Sequence, residues 1–413
     1  ATATTGDITD TGALAITGTS TLTTSENNAT ITLDVTSNAF NDAVTITTND
    51  DSGTDADVTI DGGTTALVIA ASTIDGDLTL TSGNSSGITD SGTVTVGGNL
   101  SATTDANNGV ISLGTLAVDG TIALATNGNG AAVVVNDDGI EFAASTVRGA
   151  LTATADGAVT QSGALTITGV TTIVAGSGNN ITLNNASNNF QNAVAITSGN
   201  NVTLVDANAI DLGASTVSGT YAVTATAGGD ITDSGVLAIA GASTFTVANG
   251  QNITLDSDST FTGAVTFSSA GTIASVTIND SNAFDLQALT LSGHLTVTAG
   301  DDITDSGTVT VGGNLSATTD NNNGAINLGT LAVDGTIGLT THGNGAATIV
   351  NDNGINFAAS TVGGALNATA TAGHITDSGA LAITGTSTFT VANGQNVILN
   401  ESGTFATVTF SSA

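Results

Sequence analysis

Few side chains in this 413-residue sequence are equipped for catalysis. It has no Cys, one Lys or Arg against 35 Asp and Glu, and three His. A His that acts as base or metal ligand needs a second group close by, and none of His294, His342 and His374 has another His near it in sequence. The chain contains its own near copies, which act as a control. Arg148 is matched by Gly363, 215 positions later, and His342 by Asn127. His374 corresponds to Asp302 and Asp230, and His294 to Asp77, Ala150, Thr220 or Ala365. A residue absent from every copy reads as a surface substitution. Ser and Thr are abundant, but no Gly-x-Ser-x-Gly elbow with a recurring His partner is evident. No enzymatic activity is expected, and no catalytic, cofactor or metal site.

The acids are the remaining chemistry. A turn-forming acidic or small polar residue returns about every 24 positions. It is Asp10, Asp34, Asp61, Asp90, Gly114, Asp137, Gln161, Asn184, Asp206, Asp233, Asp256, Asp280, Asp305, Gly329, Asp352, Asp377 and Asn400. Carboxylates stacked ~5 Å apart could hold Ca²⁺, which prefers oxygen ligands. The column also accepts Gly, Gln and Asn, and the Gly-Gly-x-Gly-x-Asp nonapeptide of calcium-binding β-rolls is absent. Asp here is expected to form turns by bonding its own backbone, with at most weak Ca²⁺ binding to the acidic surface.

A fixed spacing of this kind implies one supersecondary unit stacked on copies of itself. A longer period overlies it. The phrase Ile-Thr-Asp-Ser-Gly starts at Ile8 (with Thr11 for Ser), Ile88, Ile231, Ile303 and Ile375, and in degenerate form at Val159. Its spacing of about 72 predicts long repeats 8–87, 88–158, 159–230, 231–302, 303–374 and a partial 375–413, each of three short units. Residues 92–155 reappear 215 positions on. Aliphatic residues alternate with small or polar ones in Ala264–Phe267, Leu289–Leu291, Leu295–Val297, Val94–Val96 and Leu381–Ile383. That is the pattern of half-buried strands, separated by Asn-Gly and Asp-Ser-Gly turns. The chain is therefore expected to be all-β. It should form one continuous parallel β-helix over 1–413, triangular in section, with about 17 coils of ~24 residues.

One lap illustrates the expectation. Ile253–Leu255, Ala264–Phe267 and Thr272–Val276 are its strands, and Thr277 opens the next. Phe40, Phe190, Phe261 and Phe405 each follow an Ile-Thr-Leu-like strand by eight or nine residues and are expected to be buried at one corner. A short lap cannot offset its own ordering entropy, so each needs neighbours above and below.

Charge and composition narrow the function. The net charge of −34 leaves nothing to neutralise phosphates, so nucleic acid is excluded. No apolar run approaches membrane-spanning length, and insertion is not expected. Regular apolar spacing and a mean hydropathy of +0.29 argue against disorder despite the charge. A chain without Cys or Lys and rich in Thr, Asn and Gly suits a secreted fibre. The sequence opens with Ala1 and shows no signal peptide, so it is expected to be either a processed product or a segment of something longer. Residues 1–6 match the third strand of a lap, and Ala406–Ala413 stops after a second. The ends would thus be in phase to continue one rod into the next.

Asn189-Phe-Gln-Asn-Ala-Val194, Ile210-Asp-Leu-Gly-Ala-Ser-Thr-Val217 and Ile231-Thr-Asp-Ser-Gly-Val-Leu-Ala-Ile-Ala-Gly241 resemble repeats of giant bacterial surface proteins, the filamentous-haemagglutinin-like adhesins. The likeness spans the chain. It implies a right-handed β-helix, export across a Gram-negative envelope and a place in adhesion or surface fibres. The family's N-terminal secretion module is not seen, and no binding residue carries over. The expected protein is an extracellular structural filament or adhesin stalk. Its partners would be its own copies and cell-surface or carbohydrate receptors. The alternative is an ice-binding solenoid using pairs such as Thr93-Val-Thr95 and Thr308-Val-Thr310.

Overall fold

A computed structural model describes residues 1–49, 55–320 and 323–412; Ala413, used in the phase comparison of the ends, lies outside them. Among the described residues there is no helix. The chain divides into two compact units, 1–210 with 216–218, and 211–215 with 219–413. Both are built from parallel strands wound as a β-solenoid, with about 19 turns in the whole chain.

Alternation drives each strand. In Leu295–Ala299, Leu295, Val297 and Ala299 are fully buried while Thr296 and Thr298 face outward. The strand lies between Val276–Asp280 and Leu315–Thr319, residue over residue. Parallel ladders satisfy the backbone, and β-branched Thr suits the outer pleat. Phe40, Phe190 and Phe261 are buried as expected, whereas Phe405 is only half-buried.

Laps are shorter and less even than 24 residues. In the second unit Ile231 pairs with Ile253, Ile253 with Val276 and Val276 with Leu295, steps of 22, 23 and 19. In the first unit, Ile8, Ile31, Val58 and Leu78 stack at steps of 23, 27 and 20. Hence about 19 turns fit where 17 were expected. The lap that opens at Ile253 also differs from the expectation. Ile253–Phe261 is one strand, Ile273 makes only an isolated bridge to Leu291, and the next lap starts at Val276.

The difference lies in how the long repeat divides. Three strands make a lap, but one repeat supplies ten. From Ile303 they are Ile303–Asp305, Val309–Val311, Leu315–Thr319, Ile326–Val333, Thr336–Thr340, Ala347–Asn351, Ile355–Phe357, Ser360–Val362 and Leu366–Ala370. Ile326–Val333 shifts register after Leu328 and serves two faces. Ten strands are three laps and one face. Accordingly Ile303 stacks through Ile326 and Ala347 to Leu366, and Ile375 opens the following face. Likewise Ile88 stacks through Ile111 and Ala132 to Leu151, with Val159 one face on. Within each unit the phrases therefore alternate between two ladders. Ile8 stacks through Ile31, Val58, Leu78, Leu100, Ile122 and Phe142 to Gln161. Ile231 stacks through Ile253, Val276, Leu295, Leu315, Ile337 and Phe357 to Asp377, whereas Ile88 and Ile303 lie in the other ladder of their unit. The 24-residue series is not a column: Asp280 pairs with Ala299, whereas Asp305 pairs with Leu286 on another face.

Candidate functional site: polar plugs and clips between laps

The extra strand creates a mismatch that specific side chains resolve. Where two short strands lie over one long strand, the break between them leaves a backbone N–H of the long strand without a carbonyl. Ser145 fills such a gap between Ile140–Phe142 and Ser145–Val147. Its Oγ accepts the Leu124 N–H at 3.0 Å and donates to the Ala143 carbonyl. Ser360 does the same for Leu339 and Ala358, and Ser72 for Ile46 and Ala70. At the corresponding place in Leu289–Leu291 stands Leu289.

The converse mismatch, one long strand over two short ones, is filled by Asn or Asp. Asn136 Oδ1 accepts the Val118 N–H at 2.9 Å, while Nδ2 donates to the Val118 and Gly139 carbonyls. Asn351 repeats all three bonds on Val333 and Gly354. Asp206 cannot donate when ionised, and its turn differs to suit. One oxygen accepts the Phe190 N–H and the other the Asn208 N–H, each at 2.7 Å. Asp280 takes the Phe261 and Asn282 amides on Oδ1 alone, leaving Oδ2 buried without a hydrogen-bond partner. Burial pushes both carboxyls above the ordinary Asp range, and the amide bonds only partly offset it.

The Asp of the recurring phrase does a different task. It reaches forward to the next lap, not to its own turn. Asp90 accepts the Gly114 and Thr115 amides at 2.9 and 2.6 Å, and Asp305 accepts those of Gly329 and Thr330 at 2.8 and 2.7 Å. Asp233 binds the Asp256 N–H and Asp377 the Asn400 N–H. Gln161, in the degenerate phrase, exchanges two bonds with Asn188 instead. Own-turn bonding, the role expected of the whole series, is found at Asp61, Asp206 and Asp280. Burial raises the Asp61 carboxyl most, its Gly63 amide opposes this, and the nearby Asp105, Asp34 and Asp10 charges add to the rise.

A second set of clips stands just before strands. Asp57 accepts the Asp77 N–H, Asp77 the Asn99 N–H and Asn99 the Thr121 N–H, a ladder through four laps. His294 takes this place in the second unit, where its Nδ1 accepts the Asn314 N–H at 2.9 Å. His374 Nδ1 accepts the Asn396 N–H, as Asp302 and Asp230 accept those of Ala325 and Asn252. These two imidazoles stand in for carboxamides and carboxylates. His342 differs, since its Nδ1 meets the Thr319 carbonyl. Arg148 is exposed, and only its backbone N–H bonds to Thr126, as that of Gly363 does to Thr341.

Thr95 faces outward between Thr73 and Ala117, and Thr310 between Thr290 and Ala332, so neither belongs to an unbroken Thr rank. No group of three or more His, Cys, Asp or Glu is placed to hold a metal among the described residues. Among the described residues, no helix is long and apolar enough to cross a membrane. The Ser and Asn plugs were not singled out from sequence. Their signal is legible afterwards: Ser follows Ala-Ala at 72, 145 and 360, and Asn136 and Asn351 precede a Gly by three.

The chain belongs to the family described as repeats of unknown function (DUF5649), matched at residues 1–47, 55–115, 129–197, 199–268, 274–328 and 344–411. After the first, each match opens two or three residues before a strand, those starting at Val58, Ala132, Val202, Val276 and Ala347, and the last four of these strands end in the plugs Asn136, Asp206, Asp280 and Asn351. The family's own unit is thus in phase with the plugged junction. No curated protein and no solved structure matches the chain.

Proposed function

We propose that the chain is a structural length of an extracellular filament or adhesin stalk, related in role to the filamentous-haemagglutinin-like adhesins it resembles. The observation that carries this reading is where the polar side chains go. The residues that distinguish one lap from another, Asn136, Asn351, Asp206, Asp90 and Asp305, bond neighbouring laps to one another. Side chains committed to inter-lap bonds serve continuity, which a stalk needs. Partners on this reading are further copies of the chain and cell-surface or carbohydrate receptors, without enzymatic turnover or a resident cofactor. Any Ca²⁺ binding is weak and diffuse over the acidic corners.

Immunogold electron microscopy of native cells, with antibody raised against this chain, tests the location and form. Label along surface fibres supports the proposal; label confined to the cytoplasm overturns it. A thermal-hysteresis assay on the purified chain separates the alternative. The stalk predicts none, and a clear hysteresis gap would favour ice binding.

A further inference from the structure

One face of the first unit differs from the acidic surface around it. It is formed by Ala132–Asn136, Leu151–Ala155, Thr171–Val174 and Val194–Ser198, paired in that order. Its outward residues are Val, Thr and Ala, and no charged residue occurs anywhere from 157 to 205. Val133 and Val170 on this face are 37% and 40% exposed, high values for large apolar side chains. In a chain of net charge −34, two copies repel each other almost everywhere they could touch. A neutral, flat, partly apolar sheet face is where that repulsion is least and burial gains most.

The edges of this face are charged in opposite senses. Arg148, the chain's single Arg, precedes strand Leu151–Ala155 by three residues, and Asp156 follows it directly; both are exposed. We propose that this face is an isologous contact between two copies of this chain. A two-fold axis along the stacking direction sets each lap over the same lap of the second copy, with strands reversed. The entry edge of one lap then lies opposite the exit edge of its mate, so Arg148 of each copy faces Asp156 of the other. The near copy 215 residues later lacks both charges, with Gly363 and Thr371 in their places, and has Thr348 for Val133. The pair is absent together, as a reciprocal contact requires.

Four strands at ~4.8 Å spacing and about five residues across give roughly 300 Å² per copy. That is below the ~800 Å² per partner of a stable dimer. The contact is therefore weak alone and gains by repetition when chains lie side by side. It rests on the stalk reading for its purpose but not for its geometry: a cytoplasmic location would remove the former and leave the dimer measurement standing.

Sedimentation velocity of the whole chain, up to about 1 mM and at physiological salt, tests it. Wild type should self-associate with concentration. Val170→Asp, Arg148→Asp and Asp156→Arg should each weaken association by about tenfold, with circular dichroism unchanged because all three side chains are exposed. The double variant Arg148→Asp/Asp156→Arg restores opposite charges across the two-fold and should regain wild-type association. A chain monomeric throughout, single variants that associate like wild type, or a double variant no better than the singles would overturn the proposal.

Discussion

Asn136 in the first unit and Asn351 in the second each make two bonds to the preceding lap and one to their own turn with matched distances, 2.9, 3.1 and 2.7 Å against 2.8, 3.1 and 2.7 Å. Around them the same stretch has diverged: Val133 against Thr348, Glu141 against Asn356, Arg148 against Gly363 and Asp156 against Thr371. The four changed residues of the first unit named here face solvent, whereas the retained Asn136 and Asn351 are buried and bridge laps. At this junction duplication has kept the inter-lap bonds while neighbouring surface positions varied. Asp206 and Asp280 show the tolerance of the rule, since each fills the same junction with a carboxylate and a different turn.

The largest effect is expected from removing a plug. Asn136→Leu and Asn351→Leu should each cost about 3 kcal/mol, because each strands a buried amide and two carbonyls. Hydrogen exchange at Val118 and Val333 should rise alike, and unequal effects would break the equivalence of the two copies. Smaller and opposite effects are expected at the carboxylates. Asp206→Asn turns an amide donor toward a backbone donor and should cost about 1–2 kcal/mol. In Asp280→Asn one oxygen still accepts both amides and the buried charge disappears, so stability at neutral pH should hold or rise. Exchange at Phe190 and Phe261 separates the two outcomes.

Acidification should show the same buried charge. Asp206, Asp233 and Asp280 have carboxyls raised chiefly by burial. Their folded pKa lies above the unfolded one, so their contribution to stability is full below the ordinary Asp range and lost as pH rises through the raised values. The thermal midpoint should therefore rise as pH falls from neutral toward the ordinary Asp range, and less so in Asp280→Asn. The smallest effect is expected from exposed clips. Asp90→Ala and Asp305→Ala should each cost about 1 kcal/mol, read as faster exchange at Gly114 and Gly329.

Much of this architecture was legible in the residues. Alternation in Leu295–Ala299 gave the strand and its inward face, and turn clusters gave the corners. The lap length was not, because the most visible marker, Asp, occupies two unrelated places. Asp305 clips the next lap from one face, while Asp280 plugs a junction on another, and treating them as one series produces a spacing that belongs to neither. A hydroxyl such as Ser145 is marked in sequence only by the Ala-Ala before it, which does not state its role. Its role arises only where a break between two short strands meets the middle of a long one, a coincidence set by register.

A 72-residue repeat advances beyond three full turns only because its laps are shorter than 24 residues. Paired cysteines test this directly in a chain that has none of its own. Thr277 and Thr296 face outward on adjacent laps as register partners, within the ~4.4–6.8 Å Cα separation a disulfide tolerates. Thr277→Cys/Thr296→Cys should oxidise readily to an intramolecular bridge, and Thr277→Cys/Asp301→Cys, the partner a 24-residue lap would choose, should not. Bridging of the second pair in preference to the first would contradict the register on which the junctions, plugs and rotated faces all rest.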